Sequence, residues 1–263
     1  MVSGFLLSSL RAPSRPQSVV VANAAPLGDA SRYPTDVKPW ELIAETRTPD
    51  GNDMRLTKRD EEYVVLVNGK TLMSSRMHGS EEALATAGCQ HLRTVERPRV
   101  LVGGLGMAFT LRAALDVLPA DAVVTVVELV PAVVAWNRGP LGPLAGHPLK
   151  DKRVRIEVND VGFTLRANPG QFDAILLDVD NGPTAFTADA NCGLYDNAGV
   201  AASYAALRDG GTLAVWSAFE DRKFEQRLRY HGFVPQVDRV RARLKKGGPR
   251  HTITLGFKSV PTT

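Results

Sequence analysis

Acidic residues follow three apolar segments in the second half of the chain, at the point where each segment ends. They are Glu128, Asp160 and Asp178. Continuously apolar segments of this length are typical of buried parallel strands, and ligands of such sheets bind outside the carboxyl ends of the strands. A carboxylate at that edge can hydrogen-bond a ribose diol or accept a proton from an amine. The sequence therefore predicts a ligand site along this edge.

A glycine-rich turn precedes the first of these acids. Gly103, Gly104 and Gly106 follow an apolar run and lead into a helix-like pattern. This pattern predicts a strand that turns tightly into a helix whose N-terminus faces a ligand, and a Cβ there would keep the ligand from the backbone. Glu128 follows Gly106 at about the 20-residue spacing of an acid that binds ribose. The three glycines and Glu128 are thus predicted to bind a nucleoside.

Asn159 and Asp160 come directly after the third predicted strand. At that position they could meet an adenine ring, which adds them to the predicted cofactor-binding residues. An acid before a helix is also a favoured N-cap, so capping of the next helix explains Asp160 equally well.

A second cluster of candidates surrounds the fourth predicted strand. Asp178 and Asp180 alternate past its end and are the predicted catalytic residues, because an amine becomes a nucleophile only after it loses a proton. Solvated acids in an Asx-type turn are the alternative. The long segment 184–196 has the length of a lid, from which Tyr195 could face the substrate beside Asp180. His78 is a further candidate for substrate binding or general base catalysis, although a structural role explains a lone histidine too.

Composition narrows the class of protein. The cysteines, Cys89 and Cys192, form neither a disulfide framework nor a clustered metal-ligand spacing, which predicts reduced thiols in a cytoplasmic protein without a metal site. No stretch approaches the ~20 apolar residues that span a bilayer, so no membrane partner is expected. The net charge is +4, but residues 222–258 contain eleven Lys or Arg and two acids, so the basic character belongs to the C-terminal segment.

The elements that position these residues alternate between strand and helix after residue 99, which predicts a doubly wound α/β sheet with helices on both faces. Five strands are predicted, followed by an antiparallel hairpin at 234–243 and 251–258. The predicted strands cover 100–103, 122–128, 153–158, 172–178 and 212–217, and the main helices 106–118, 162–168, 197–209 and 219–231.

Three segments divide the chain. Residues 1–37 are predicted to be a disordered extension, with an Arg- and Ser-rich leader as the alternative. Residues 38–78 alternate with a period of two between turn residues, which predicts a small antiparallel β module. Residues 79–263 form the predicted nucleoside-binding catalytic domain, which opens with a helix from Ser80 to about Val95.

This pattern resembles two related folds. Five parallel strands closed by an antiparallel hairpin are similar to the S-adenosylmethionine-dependent methyltransferase domain, a Rossmann-like sheet. Over residues 40–258 the chain also resembles the spermidine synthase family, whose motifs occur here in the same order, at 72–81, 103–106, 128, 159–160 and 178–183. The resemblance implies that the glycine turn and Glu128 bind decarboxylated S-adenosylmethionine, and that Asp178 promotes attack of an amine on the sulfonium-activated carbon. It also implies a homodimer formed through the N-terminal sheet.

Departures from the family pattern concern the acceptor side of the site. Leu105 stands where the family loop Gly-Gly-Gly-Asp-Gly-Gly has its aspartate, and 75–78 replaces the tyrosine-containing amine-binding segment. The resemblance implies aminopropyl transfer to a small amine. Methyl transfer from S-adenosylmethionine is the close alternative, either to a small molecule or to RNA through Arg239, Arg241 and Arg243. A charged edge strand explains these arginines better than nucleic-acid binding, and a non-catalytic nucleoside binder is the third hypothesis.

Overall fold

Two β-sheets organise the chain in a computed structural model that describes residues 38–179, 193–243 and 248–260. Residues Pro39–Thr263 cluster as one compact unit. The predicted extension at 1–37 therefore lies outside the described residues, as do Asp180, Cys192 and most of the segment 184–196. No helix of the described ranges has the length and apolar character required to cross a bilayer.

The N-terminal sheet is an antiparallel meander of four strands, in the order of the chain. Its tight turns use Gly51 and the pair Asn68-Gly69, whose positive φ angles fit hairpin connections. Alternate residues on one face, such as Met54, Leu56 and Val65, are buried in the larger apolar core. The sheet consists of β1 (Glu41–Arg47), β2 (Asp53–Arg59), β3 (Glu62–Val67) and β4 (Lys70–Ser74).

The second sheet has seven strands in the order β10-β11-β9-β8-β5-β6-β7. The strands β9, β8, β5, β6 and β7 run parallel, and β11 and β10 continue the sheet antiparallel. The strands are β5 (Arg99–Gly103), β6 (Val123–Glu128), β7 (Val154–Val158), β8 (Phe172–Leu177), β9 (Leu207–Ser217), β10 (Phe233–Arg241) and β11 (Arg250–Lys258). This confirms the predicted fold class. Because β5 lies between β6 and β8, the strand order reverses beside its carboxyl end, where open α/β sheets bind ligands.

Helices cover both faces of the large sheet. On one face the core contains residues of the first three helices, and on the other residues of the last three. The helices are α1 (Gly79–Cys89), α2 (Phe109–Val117), α3 (Pro131–Arg138), α4 (Val161–Ala167), α5 (Asn197–Ala206) and α6 (Arg222–Tyr230). Short 3₁₀ helices cover Gln90–Leu92, Gly142–Ala145 and Pro148–Lys150.

Several helix boundaries differ from the sequence prediction for local reasons. The helix expected at 106 begins at Phe109, because Gly106 and Ala108 have positive φ angles that no helix contains. The helix expected at 219 begins at Arg222, where the Asp221 carboxylate caps two backbone N–H groups. The fifth helix ends at Ala206 and not at 209, since the next residues already pair in β9.

Candidate active site

The glycine turn and Asp178 are in direct backbone contact at the reversal of strand order. The amide of Gly104 donates to the carbonyl of Val127 at 2.9 Å, and the amide of Asp178 donates to the carbonyl of Gly103 at 2.9 Å. Gly104 has a φ of +87°, and a Cβ built on it would overlap the carbonyl oxygen of Asp178. The turn therefore needs glycine there for its backbone angle and for this close approach.

Replacing Gly104 by alanine is expected to destabilise the protein by roughly 2–3 kcal/mol, because positive φ strain adds to steric overlap. Gly51→Ala is the matched control, since Gly51 has a φ of +86° and open space around its Cβ position. That variant carries the backbone strain alone, about 1 kcal/mol. Denaturant unfolding of both variants measures the difference, and equal losses would show that the contact with Asp178 does not constrain residue 104.

Glu128 braces the glycine turn from the neighbouring strand. It is 8% exposed, and its two carboxylate oxygens accept backbone N–H groups from Leu105 at 2.9 Å and Val130 at 2.8 Å. These bonds hold the carboxylate at the end of β6, at the edge of the sheet where the ribose contact is predicted. Leu105 itself is buried in the apolar core, so the residue in the place of the family's aspartate offers no charge to a ligand.

Asn159 and Asp160 lie at the end of β7, and the structure confirms the capping interpretation of Asp160. Its Oδ1 accepts the amide of Phe163 at 2.7 Å, while Asn159 bonds the amide of Asp160 and the hydroxyl of Thr164. Contact of this pair with an adenine remains a prediction. Phe163 is 58% exposed beside it. This ring offers an apolar surface next to the pair. The sequence pattern did not indicate it, because Phe163 occupies an ordinary position within a helix.

Asp178 is the central acid of the edge. It is partly buried, and its carboxylate accepts a hydrogen bond from the hydroxyl of Thr110 in α2. Loss of hydration raises the pKa of Asp178 to about 6, and the bond from Thr110 opposes part of that rise. A carboxyl group whose pKa lies this close to neutrality can both accept and release a proton at physiological pH.

Glu81 is the functional candidate that sequence reasoning missed. It lies in the first turn of α1, where an acid commonly has no role beyond a favourable interaction with the helix dipole. Burial, and after it the charge of Asp178, raise the pKa of Glu81 to about 8. Two carboxyl groups from distant segments of the chain thus interact electrostatically. No local pattern indicates this pairing, because it arises only when α1 packs against β8.

His78 acquires two partners in the folded chain. Its ring stacks on Phe109 at the start of α2, with centroids 4.1 Å apart and planes 14° apart. Its Nδ1 lies 2.7 Å from Oε1 of Glu82. The ring is therefore held between the starts of α1 and α2, and the acid beside it could support either a substrate-binding or a base role.

Tyr195 is buried, with only 3% of its surface exposed. Its hydroxyl donates to the carbonyl of Val179 at 3.3 Å, and its ring meets Phe224 edge to face. These contacts hold the backbone that directly follows Asp178. Contact between Tyr195 and a substrate remains a prediction, and the predicted site residue Asp180 lies outside the described residues.

The solved structures that resemble this chain include two spermidine synthases, whereas no family model and no curated protein matches its sequence. A spermidine synthase in complex with the transition state analogue AdoDATO has a TM-score of 0.66 and 20% identity, and the alignment covers 84% of this chain and 74% of that one. A spermidine synthase from Thermotoga maritima has a TM-score of 0.66 and 17% identity, with coverages of 84% and 73%. The chain therefore has a spermidine synthase-like fold, as its motifs predicted.

Proposed function

We propose that this protein is a transferase that binds a sulfonium nucleoside at the glycine turn and passes an alkyl group to a small-molecule amine. One observation carries the proposal: the backbone of Asp178 packs against the glycine turn at the reversal of strand order, and its carboxyl group has a pKa raised to about 6. The first neighbour's complex with AdoDATO, a transition state analogue, supports the same class of ligand.

The residues of the edge fit such a nucleoside. Gly104 permits the tight turn beside Asp178, and the Glu128 carboxylate lies at the carboxyl end of the neighbouring strand, where acids of this fold bind a ribose diol. The sulfonium supplies an activated carbon and a leaving group when the nucleoside is bound. Asp178 accepts one proton from the ammonium form of the acceptor, and the neutral amine can then attack that carbon.

Aminopropyl transfer is the family's reaction, and methyl transfer from S-adenosylmethionine is the second candidate. The burial of Leu105 in the apolar core favours the second, because this loop position offers no carboxylate to the ammonium of decarboxylated S-adenosylmethionine. RNA is a weaker acceptor hypothesis. Arg239 lies on the edge strand β10 and pairs with Glu220. This pairing supports the interpretation that the charges of β10 protect the edge of the sheet.

Calorimetry with S-adenosylmethionine, its decarboxylated form and methylthioadenosine tests the proposal. We expect binding of at least one sulfonium nucleoside. A preference for the decarboxylated form supports aminopropyl transfer, and a preference for the intact form supports methyl transfer. The absence of binding by all three would overturn the transferase proposal.

We also propose that two chains associate through the N-terminal sheet in the cytoplasm. Trp40 and Leu42 are 39% and 52% exposed at the start of β1, so they provide apolar surface that such a contact would cover. Light scattering on the wild type and on Leu42→Asp measures the association.

A further inference from the structure

A buried serine connects Glu81 to a histidine on the antiparallel strand β11. Ser80 is fully buried at the start of α1. Its Oγ lies 2.7 Å from Oε2 of Glu81 and 2.9 Å from Nδ1 of His251 in β11. Both distances are within hydrogen-bond range, so one hydroxyl bridges a carboxyl group and an imidazole.

Two other acidic groups act on the Glu81 end of this bridge. Glu81 interacts with Asp178 of β8 and with its neighbour Glu82, which is itself engaged by His78. On the other side, the His251 ring meets Trp216 of β9 edge to face at 4.6 Å. Burial lowers the pKa of His251 and so favours the neutral ring, which carries one N–H and one lone pair. His251 is only partly buried and can exchange protons with water.

We propose that Glu81, Ser80 and His251 form a proton path to solvent, along which Glu81 releases its proton when the neighbouring Asp178 takes up the proton of the acceptor. The path rests on the proposed function for its purpose, since that reaction releases one proton for each amine alkylated. Glu81, Ser80 and His251 are positioning residues in this scheme, because they act through Asp178.

The proton balance of the step is as follows. The ammonium gives one proton to Asp178, the neutral nitrogen forms a bond to carbon, and the carbon–sulfur bond breaks with its electron pair left on sulfur. Protonated Glu81 then donates to the oxygen of Ser80 while the hydroxyl proton of Ser80 moves to Nδ1 of His251. The imidazolium releases its Nε2 proton to water, which leaves Glu81 ionised. After the product leaves, Asp178 gives its proton to water in the open site, the neutral ring reorients and Glu81 takes one proton back along the path, so one proton is released in each cycle.

The single hydroxyl proton of Ser80 couples its two hydrogen bonds. When Glu81 is protonated, it donates to Ser80, and Ser80 donates to Nδ1 of His251, so the ring proton lies on Nε2. When Glu81 is ionised, Ser80 donates to it, and Nδ1–H of His251 donates to Ser80. The tautomer of His251 therefore reports the ionisation of Glu81.

Nitrogen-15 NMR of the histidine-labelled full chain tests this coupling without any ligand. We expect His251 to change from mainly the Nε2–H to mainly the Nδ1–H tautomer near pH 8, the pKa of Glu81, with at least a tenfold change in tautomer ratio. His251→Gln assigns the signals. Ser80→Ala and Glu81→Gln should each abolish the change.

Ser203→Ala is the matched control, because Ser203 is also fully buried but donates to the Gly199 carbonyl within α5. It should retain the tautomer change. A wild type that keeps one tautomer between pH 6 and pH 10, or a change that persists in Ser80→Ala, would overturn the path.

Kinetics then separates the path from the proposed function. With an acceptor in hand, Ser80→Ala should lower kcat about tenfold at low buffer concentration and leave KM unchanged, and concentrated imidazole buffer should restore kcat. Insensitivity of the variant to buffer would contradict the path even if the transferase reaction is established. Conversely, the protein could show the tautomer change of His251 but bind no nucleoside. That result would support the hydrogen-bond coupling and refute the proposed transferase reaction.

Discussion

Asp178→Asn is expected to lower kcat about 10²–10⁴-fold and to leave nucleoside affinity within a few-fold, because an amide cannot accept the acceptor's proton. The variant should stay folded, since the amide oxygen of asparagine can still accept the hydrogen bond from Thr110. Product formation followed by mass spectrometry, with calorimetry for the nucleoside, measures both effects. In the wild type kcat should rise as the pH rises through about 6, where Asp178 loses its proton.

Asp173→Asn is the matched control for this experiment. Asp173 belongs to the same strand but lies at its opposite end, where it bonds the amide of Arg99 and pairs with Arg208. The oxygen of asparagine can still accept the amide of Arg99, so the control should fold and turn over normally. If Asp178→Asn retains wild-type turnover, Asp178 is not the proton acceptor.

Glu128→Ala should have the largest effect on stability, about 3 kcal/mol or more, and should weaken nucleoside binding at least tenfold. The change leaves the amides of Leu105 and Val130 without their charged acceptor in a buried place, and each such bond contributes about 1.5–3 kcal/mol. It also removes the predicted partner of the ribose. Denaturant unfolding and calorimetry below the unfolding transition measure the two effects separately.

Glu157→Ala serves as the comparison, because Glu157 is an exposed acid on the adjacent strand β7, opposite Val127. Its loss should change stability by less than about 0.5 kcal/mol. If Glu128→Ala is destabilised but binds nucleoside with unchanged affinity, Glu128 is only a brace of the turn and the ribose assignment is wrong.

Much of the fold and the main frame of the site followed from local pattern. Apolar segments that end in glycine or acid, separated by helical periods, predicted a parallel sheet, and parallel strands bring their carboxyl ends to one edge. Gly104, Glu128 and Asp178 therefore meet at that edge, as the backbone bonds between β5, β6 and β8 confirm. Helix starts were less predictable, because positive φ angles at Gly106 and Ala108 delay α2 to Phe109.

Tertiary structure decided the electrostatics of the site. Glu81 belongs to the first turn of a helix, and only the packing of α1 against β8 makes it the partner of Asp178. Ser80 and His251 are 171 residues apart in the chain, yet their side chains are within hydrogen-bond distance. Spacing along the sequence fixes which strand ends share an edge, whereas a pKa depends on hydration and on charges from distant segments, and those exist only once the helices have packed.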